Sequence, residues 1–344
     1  MGRKLNRRRV KKQRKIIVVS LIAFLFIMVG GYAAFQTNLN ITAKGNIVDP
    51  SRVIQSFNMY DSYTLKDFHT DYYKENIISA TFLDNNYVPS NAVESWDVSE
   101  DGKGGVMAWV IQNSEDNTKF DLYIGANGGV VANEDSLHLF SYFANLKEIE
   151  FNDNFDTSNA VDMSAMFYNC KSLVELDLSS FNTSKVTNFS ALLSMYNYQN
   201  ASSLTKVDLS GWDTRNVVDM RDMFAYNINL VEIVGIEDFN TGNVTSMHGV
   251  FFNNRKINNL DLSKWNSDKV TTMRGMFYNC QNITELNLCS FNTKNVTNMQ
   301  AMFGSTINLN HIYVGDGWTM ENVSNNSTMF AGSKVSSVTT GQCL

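Results

Sequence analysis

From Trp265 to Ser290 the chain reads WNSDKVTTMRGMFYNCQNITELNLCS, and the same frame returns, with drift, down its whole second half. The opening aromatic recurs at Phe155, Phe181, Trp212, Phe239, Trp265, Phe291 and Trp318, in steps of 26, 31, 27, 26, 26 and 27 residues. The long step carries extra residues around Tyr196 to Ala201, which read as a loop bulging from one coil. A half unit comes first, with Leu139, Phe140, Leu146, Ile149 and Phe151 filling the later columns. The last unit decays: Asn326 stands where Met is expected, while Val323, Met329 and Phe330 persist. A period this regular restricts the chain to an array in which each unit packs on its neighbours.

Within a unit the apolar positions have two spacings. Val270, Met273, Met276 and Phe277 fit one face of a short helix, whereas Leu286 and Leu288 alternate as in a strand. The expected fold class is α/β: a leucine-rich-repeat-like solenoid with a short helix plus a strand per coil, a small β-rich N-terminal cap and one transmembrane helix. One unit alone offers about eight large apolar side chains, too few to offset the entropy of ordering its backbone, so the coils must stack. The Met pairs Met163/Met166, Met220/Met223, Met273/Met276 and Met299/Met302 read as adaptable core filler rather than a sticky groove.

The runs FNTKNVTNMQAMF at Phe291 and LVELDLSSFNT at Leu173 carry a likeness. They resemble the repeat of the BspA-like leucine-rich surface proteins of bacteria, also met as a mycoplasma-type repeat. The likeness covers about residues 93–335, and it implies a leucine-rich solenoid displayed outside the cell for adhesion. In one respect the chain departs from the general pattern L-x-x-L-x-L-x-x-N. Phe181, Phe291 and their equivalents occupy the Asn position, which predicts an aromatic stack there instead of a buried Asn ladder.

Residues 1–15 hold nine bases and no acid, leaving 19 bases against 34 acids in the remainder, a net charge of −15. An acidic body argues against nucleic acid as a partner, since phosphate binding needs basic surface. Ile16 to Phe35 is 20 residues without a charge. At ~1.5 Å per residue that is long enough to cross a ~30 Å hydrocarbon core. With the basic cluster held inside, the expected placement is a single-pass protein of the cell membrane with its C-terminal part extracellular. A cleaved signal peptide with the apolar core Ile16–Val29 is the alternative, and makes the protein secreted.

The expected order is a basic cytoplasmic stub (1–15), a signal-anchor or signal peptide (16–35), a stalk (36–76), a β-rich cap (77–135) and the leucine-rich solenoid (136–344). Strand-like runs such as VMAWVIQN and KFDLYIGANG place the cap, which covers the open apolar face of the first coil. The tail VSSVTTGQCL has no sorting motif and no clear closing coil, as in a truncated relative or a very short cap.

A binding surface is expected on the strands. If Leu176 and Leu178 point inward, Glu175, Asp177 and Ser179 point out. The outward column passes Glu150, Asp177, Asp208, Val234, Asp261, Asn287 and Tyr313 on successive coils, changing from acidic to polar and aromatic. The ligand-face candidates are Asp177, Asp208, Asp261, Asn287, His311 and Tyr313, since exposed aromatics recur at binding hot spots. The simpler reading is a solvated acidic face whose Asp and Ser also make local turn bonds. On the opposite, helix side, Arg274 is expected to be silent.

The four histidines are scattered, and no zinc spacing, nucleophile elbow, phosphate loop or dinucleotide fingerprint occurs. No catalytic residue, metal or cofactor is expected. All four cysteines are expected as free thiols, with Cys170 and Cys280 as small buried hydrophobes. The expected function is adhesion, meaning binding of an extracellular or host-surface protein or glycan, with membrane attachment through residues 16–35. A structural envelope component without a dedicated ligand is the runner-up, and a remote hydrolase the third reading.

Overall fold

The computed structural model describes residues 49–57, 66–196, 202–341 and 343. The M-x-x-M-F spacing predicts a helix in each coil, but the backbone there alternates between two kinds of hydrogen bond. Met163, Ala165, Phe167 and Asn169 donate their N–H groups to Asn188, Ser190, Leu192 and Ser194 of the next coil. Met166, Tyr168 and Cys170 donate to residues three back, Met163, Ala165 and Phe167. A helix would send every N–H to the residue four back.

The alternation requires left-handed backbone twice in the coil, at Ala165 (φ 52°) and Asn169 (φ 61°), and again at Gly275 (φ 60°) and Asn279 (φ 59°) four coils on. One such residue interrupts a right-handed helix, and Gly and Asn tolerate it best. Met163, Met166 and Phe167 still reach the core, because a chain of tight turns with this spacing also points them inward. Among the described residues α-helix is confined to α1 (Asp71–Asn76). The expected leucine-rich-repeat-like solenoid of helix plus strand therefore does not form. What stacks instead is a series of coils made of turns and very short strands. Their turn side is one parallel ladder through Asp135, Asp162, Asn188, Asp219, Ser246, Thr272, Asn298 and Asn325.

A second row of contacts explains the third residue of the motif F-N-T. Thr157, Thr183, Thr214, Thr241, Ser267 and Thr293 are buried, and each hydroxyl works in both directions. Thr241 Oγ1 donates to the Asn266 carbonyl (2.8 Å) and accepts from the Asn266 N–H (2.7 Å). Thr157–Asn182, Thr183–Asp213, Thr214–Asn240, Ser267–Asn292 and Thr293–Thr319 repeat the arrangement. Rings stack along the same edge, with Trp212–Phe239 and Phe239–Trp265 centroids 6.2 and 6.3 Å apart. A further stack of Phe224, Phe251, Phe277, Phe303 and Phe330 runs through the core at 5.6–5.8 Å.

Cys170 and Cys280 share a column with Asn227 and Asn254. All four donate to a carbonyl of the preceding coil, on Phe140, Phe251, Leu193 and Phe224 respectively. The thiols thus stand in for amides as donors. Burial pushes the Cys280 thiol up to about 12 and raises Cys170 as well, which keeps both protonated.

Ahead of the coils, β1 (Ile77–Leu83), β2 (Glu94–Asp97), β3 (Val106–Gln112) and β4 (Phe120–Ala126) form a mixed sheet in the order β2–β3–β4–β1. The first coil supplies its last strand, β6 (Glu148–Glu150), parallel to β1 with Ala80 opposite Ile149. A second pair, β5 (Val130–Val131) with β7 (Phe155–Asp156), makes another such junction. Sheet and repeats therefore share backbone hydrogen bonds. Ile54, Phe57, Phe68 and Tyr73, from the stretch read as a stalk, are buried in the same core.

On the strand side of the coils, β8 (Glu175–Asp177), β9 (Lys206–Asp208) and β10 (Glu232–Val234) make one parallel sheet. A second comprises β11 (Glu285–Leu288), β12 (His311–Val314) and β13 (Thr339–Thr340). The coil between them, at residues 257–261, contributes no strand.

Ile16 to Phe35, on which the transmembrane helix and the single-pass placement rest, lies outside the described residues. Among the described residues no helix is long and apolar enough to cross a membrane. Helix α1 has 6 residues and spans ~9 Å, against the ~30 Å a crossing needs. The structure supports neither the transmembrane helix nor the single-pass localisation.

Candidate ligand-binding face

Each strand turns every second side chain outward, and the pairing register decides which of these meet. Asp177 and Asp208 are direct partners across β8 and β9. Glu285 faces His311, and Asn287 faces Tyr313, across β11 and β12. Asp261 lies on the unpaired coil between the two sheets. The missing strand there leaves a cleft of about 910 Å³ lined by Asn259, Leu260, Asp261, Glu285, Asn287 and Tyr313, among others. Three of the six candidates, Asp261, Asn287 and Tyr313, thus share one cleft. His311 stacks on Tyr313, with centroids 5.7 Å apart and rings 16° from parallel. Asp177 and Asp208 belong to the other sheet, outside it.

The acidic column has a local task as well. Asp177 accepts from the Ser179 N–H (2.9 Å), Asp208 from the Ser210 N–H (2.9 Å) and hydroxyl (2.5 Å), Asp261 from the Ser263 N–H (3.0 Å), and Asn287 from the Cys289 N–H (3.1 Å). Each side chain closes the turn after its strand, as Asp and Asn do in Asx turns. Hydrogen bonds from Ser210 and Ser263 hold Asp208 and Asp261 below the ordinary carboxylate pKa. One oxygen is engaged, and an ionised carboxylate keeps acceptor capacity to spare. Lys206, between Glu175 and Glu232 in the register, offsets their charge and approaches Glu232 at 3.4 Å.

Two features of the region are not foreseen by the sequence. Cys289 and Cys343, expected as free thiols, form a disulfide with Cα atoms 5.7 Å apart, and both line the cleft. The reason is topological: β13 pairs with β12 through Tyr313–Thr339 and Val314–Thr340, which returns the tail to the end of β11. The other is a constellation on the turn side, where Asp222, His248, Arg274 and Gln300 stand beside Tyr226, Phe252 and Tyr278 around a pocket of about 420 Å³. Its sequence signal is Asp222, which takes the left-handed position (φ 53°) that Ala165, Gly249, Gly275 and Ala301 fill elsewhere.

Parallel coils of this length, joined through backbone and hydroxyl ladders and carrying a long polar face, define a repeat-array protein. The chain belongs to the family described as Mycoplasma protein of unknown function, DUF285, whose pattern matches residues 137–233 and again 227–341. Those stretches are the coils, so the repeat is of the mycoplasma type. No curated protein and no solved structure matches the chain.

Proposed function

We propose that this chain is a non-catalytic adhesive protein, similar in role to the BspA-like leucine-rich surface proteins whose repeat it resembles. Its strand face binds a protein or glycan outside the cell. The observation that carries this reading is the interruption of the strand ladder at residues 257–261. It opens a cleft where carboxylate, amide and aromatic side chains converge, the mixture of rigid contact area and polar anchors typical of binding surfaces. The Cys289–Cys343 disulfide at the cleft supports an oxidising compartment, since such bonds persist outside the cytosol.

The test is binding of the purified full chain to immobilised matrix proteins and to cells. Asp261→Ala, His311→Ala and Tyr313→Ala should each weaken saturable binding about tenfold or more, at nearly unchanged melting temperature. Lys185→Ala, an exposed change away from the cleft, should do nothing. Equal binding by all four variants would favour the second reading, a structural array without a dedicated ligand. That reading draws on the turn-closing hydrogen bonds of Asp177, Asp208, Asp261 and Asn287, which account for these residues without a partner.

A further inference from the structure

The turn-side pocket sits on the opposite row of the coils from the strand-face cleft, and its residues have no part in the stacking ladders except through their backbones. Four aromatic rings run along it in series. Tyr196 meets Tyr226 edge-on at 5.3 Å, Tyr226 meets Phe252 at 5.1 Å, and Phe252 stacks on Tyr278 at 4.7 Å. Of these Tyr196 is exposed and the other three half-buried, so the row is a wall of ring surface open to solvent.

Beside the wall stands a polar row from three successive coils and their neighbour: Asp222, His248, Arg274 and Gln300. Other side chains in equivalent parts of the turn side are consumed locally. Asp162 accepts from Ser164, Asn188 from Ser190, and Asp219 pairs with Arg221. Among the described residues neither the Asp222 carboxylate nor the Arg274 guanidinium nor the Gln300 amide makes a hydrogen bond. Asp222 and His248 approach only to 4.0 Å, an ion contact longer than a hydrogen bond. Burial raises the Asp222 pKa and lowers that of His248, so both are held short of full solvation.

Glycines in the backbone make room for the pocket's own side chains. A Cβ at Gly249 (φ +62°) would run into the Asp222 carboxylate, one at Gly275 (φ +60°) would come within 3.0 Å of the Phe252 ring, and one at Gly304 within 2.8 Å of the Tyr278 ring. At Gly249 and Gly275, Asp222 and Phe252 lie across positions that Ala occupies in other coils.

We propose that this pocket binds a pyranose residue of a glycan. A pyranose has an apolar C–H face that fits the ring wall and a rim of hydroxyls that both donate and accept. Asp222 accepts, Arg274 donates, and Gln300 does both. Other ligand classes fit less well. A phosphate meets the Asp222 carboxylate, a flat base finds the rings already packed on one another, and a wholly apolar ligand leaves the polar row unpaired. The volume of about 420 Å³ suits one or two sugar rings, and the aromatic row runs along the stack, as a linear oligosaccharide would. Arg274, expected from the sequence to be silent, is here a binding residue.

The experiment screens the purified full chain on an array of neutral and acidic oligosaccharides, then titrates the strongest binder, free in solution, by calorimetry. Saturable binding is expected. It should fall about tenfold in Arg274→Ala and in Gln300→Ala, as for a lost hydrogen bond in a polar site. Arg274 is exposed and Gln300 half-buried, and among the described residues neither side chain holds a neighbour by a hydrogen bond, so the variants should melt like the parent. Gly249→Ala should weaken binding by displacing Asp222. Lys185→Ala, exposed and outside both the turn-side pocket and the strand-face cleft, should leave it unchanged. Absence of saturable binding to every oligosaccharide overturns the proposal, as does full-strength binding by Arg274→Ala and Gln300→Ala. A signal that follows Asp261 and Tyr313 instead overturns the turn-side site while leaving the strand-face reading standing.

Discussion

On the turn side the backbone ladder runs from Asp135 to Asn325 without a gap, while on the strand side it stops after β10 and resumes at β11. The same coils make both rows, so the difference lies in how each is held. The turn side has an inter-coil hydrogen bond at every second residue, and the Thr/Ser hydroxyl row fixes the coil spacing independently. The strand side has three or four paired residues per coil and little else. At residues 257–261 the sequence INNLD puts Asn259 where other coils have Glu, Lys or His, and Asn is depleted in strands. The strand is lost there, yet Ile257 and Leu262 remain buried and the stack continues. One row carries the architecture, and the other is free to vary.

The comparison can be broken most severely from the core that both rows share. Met276 is fully buried, so Met276→Asp should cost about 4 kcal/mol or more by burying an unpaired charge. Calorimetry should show the whole array destabilised. A parent-like melt would mean that the column does not face inward.

Next comes the disulfide, which staples only the strand side. Closing a loop across a sequence separation of 54 residues is worth about 4 kcal/mol on the chain-entropy account. Reduction, or Cys343→Ser, should lower the melting temperature. It should also release amide protection first in β11 to β13, leaving the turn ladder of the same coils protected. Uniform loss of protection on both rows would erase the distinction.

A smaller effect is expected for Thr241→Val. It strands the N–H and carbonyl of Asn266 between coils and should cost about 1–3 kcal/mol, with Thr241→Ser restoring most of it. Glu232→Gln on the strand side, which removes an exposed ion pair, should cost less than about 1 kcal/mol. Chemical denaturation of the three variants measures the ratio.

The pH response should separate the rows with the smallest signal. Burial holds His138 and His248 below the ordinary imidazole pKa. The unfolded chain therefore takes up protons near pH ~6.5 while the folded turn side resists. That stability is complete above this pH and lost as pH falls through it. Asp208 and Asp261 are held low, by hydrogen bonds from Ser210 and Ser263. Their contribution is complete above pH ~4 and is lost only as pH falls toward the depressed folded value. Thermal melts from neutral to acid pH should show an upper step that His138→Gln reduces and a lower one that it leaves alone.

Much of this was legible in the residues, and some of the rest was misread for a physical reason. The period, the inward Leu and Met columns and the aromatic edge follow from apolar spacing, which burial selects strongly. The helix was a mistaken inference because Met163, Met166 and Phe167 are spaced alike on a helix and on a chain of tight turns. The distinguishing mark was the small residue between the methionines, at Ala165, Gly249, Gly275 and Ala301, together with the Asn at 169, 253 and 279. The Gly and Asn among them favour left-handed backbone, which no helix contains, whereas Ala165 and Ala301 adopt it only because the coil imposes it. The hydroxyl row was equally visible as the Thr of F-N-T, but a buried Thr and an exposed one look the same in a sequence. Of the ligand-face candidates, Asp261, Asn287 and Tyr313 come together, whereas Asp177 and Asp208 do not. Alternation placed them all on one face, but it gave no hint of where the ladder would break. The cluster of Asp222, His248 and Arg274 depends on which way three coils turn their side chains, and apolar spacing carries no information about that.

The hydroxyl row also bears on how genes for such chains change length. Because each Thr or Ser presents the same donor and acceptor to the coil that follows, the upper and lower edges of a coil are interchangeable. Thr241 reaches Asn266 across a sequence separation of 25 residues, and Thr183 makes the same pair of bonds to Asp213 across 30. A coil can therefore absorb an insertion at its corner without disturbing the join. In-frame duplication or deletion of a whole unit leaves the same hydroxyl join available between the coils that become neighbours. Reach then becomes a quantity that recombination can adjust in single-coil increments.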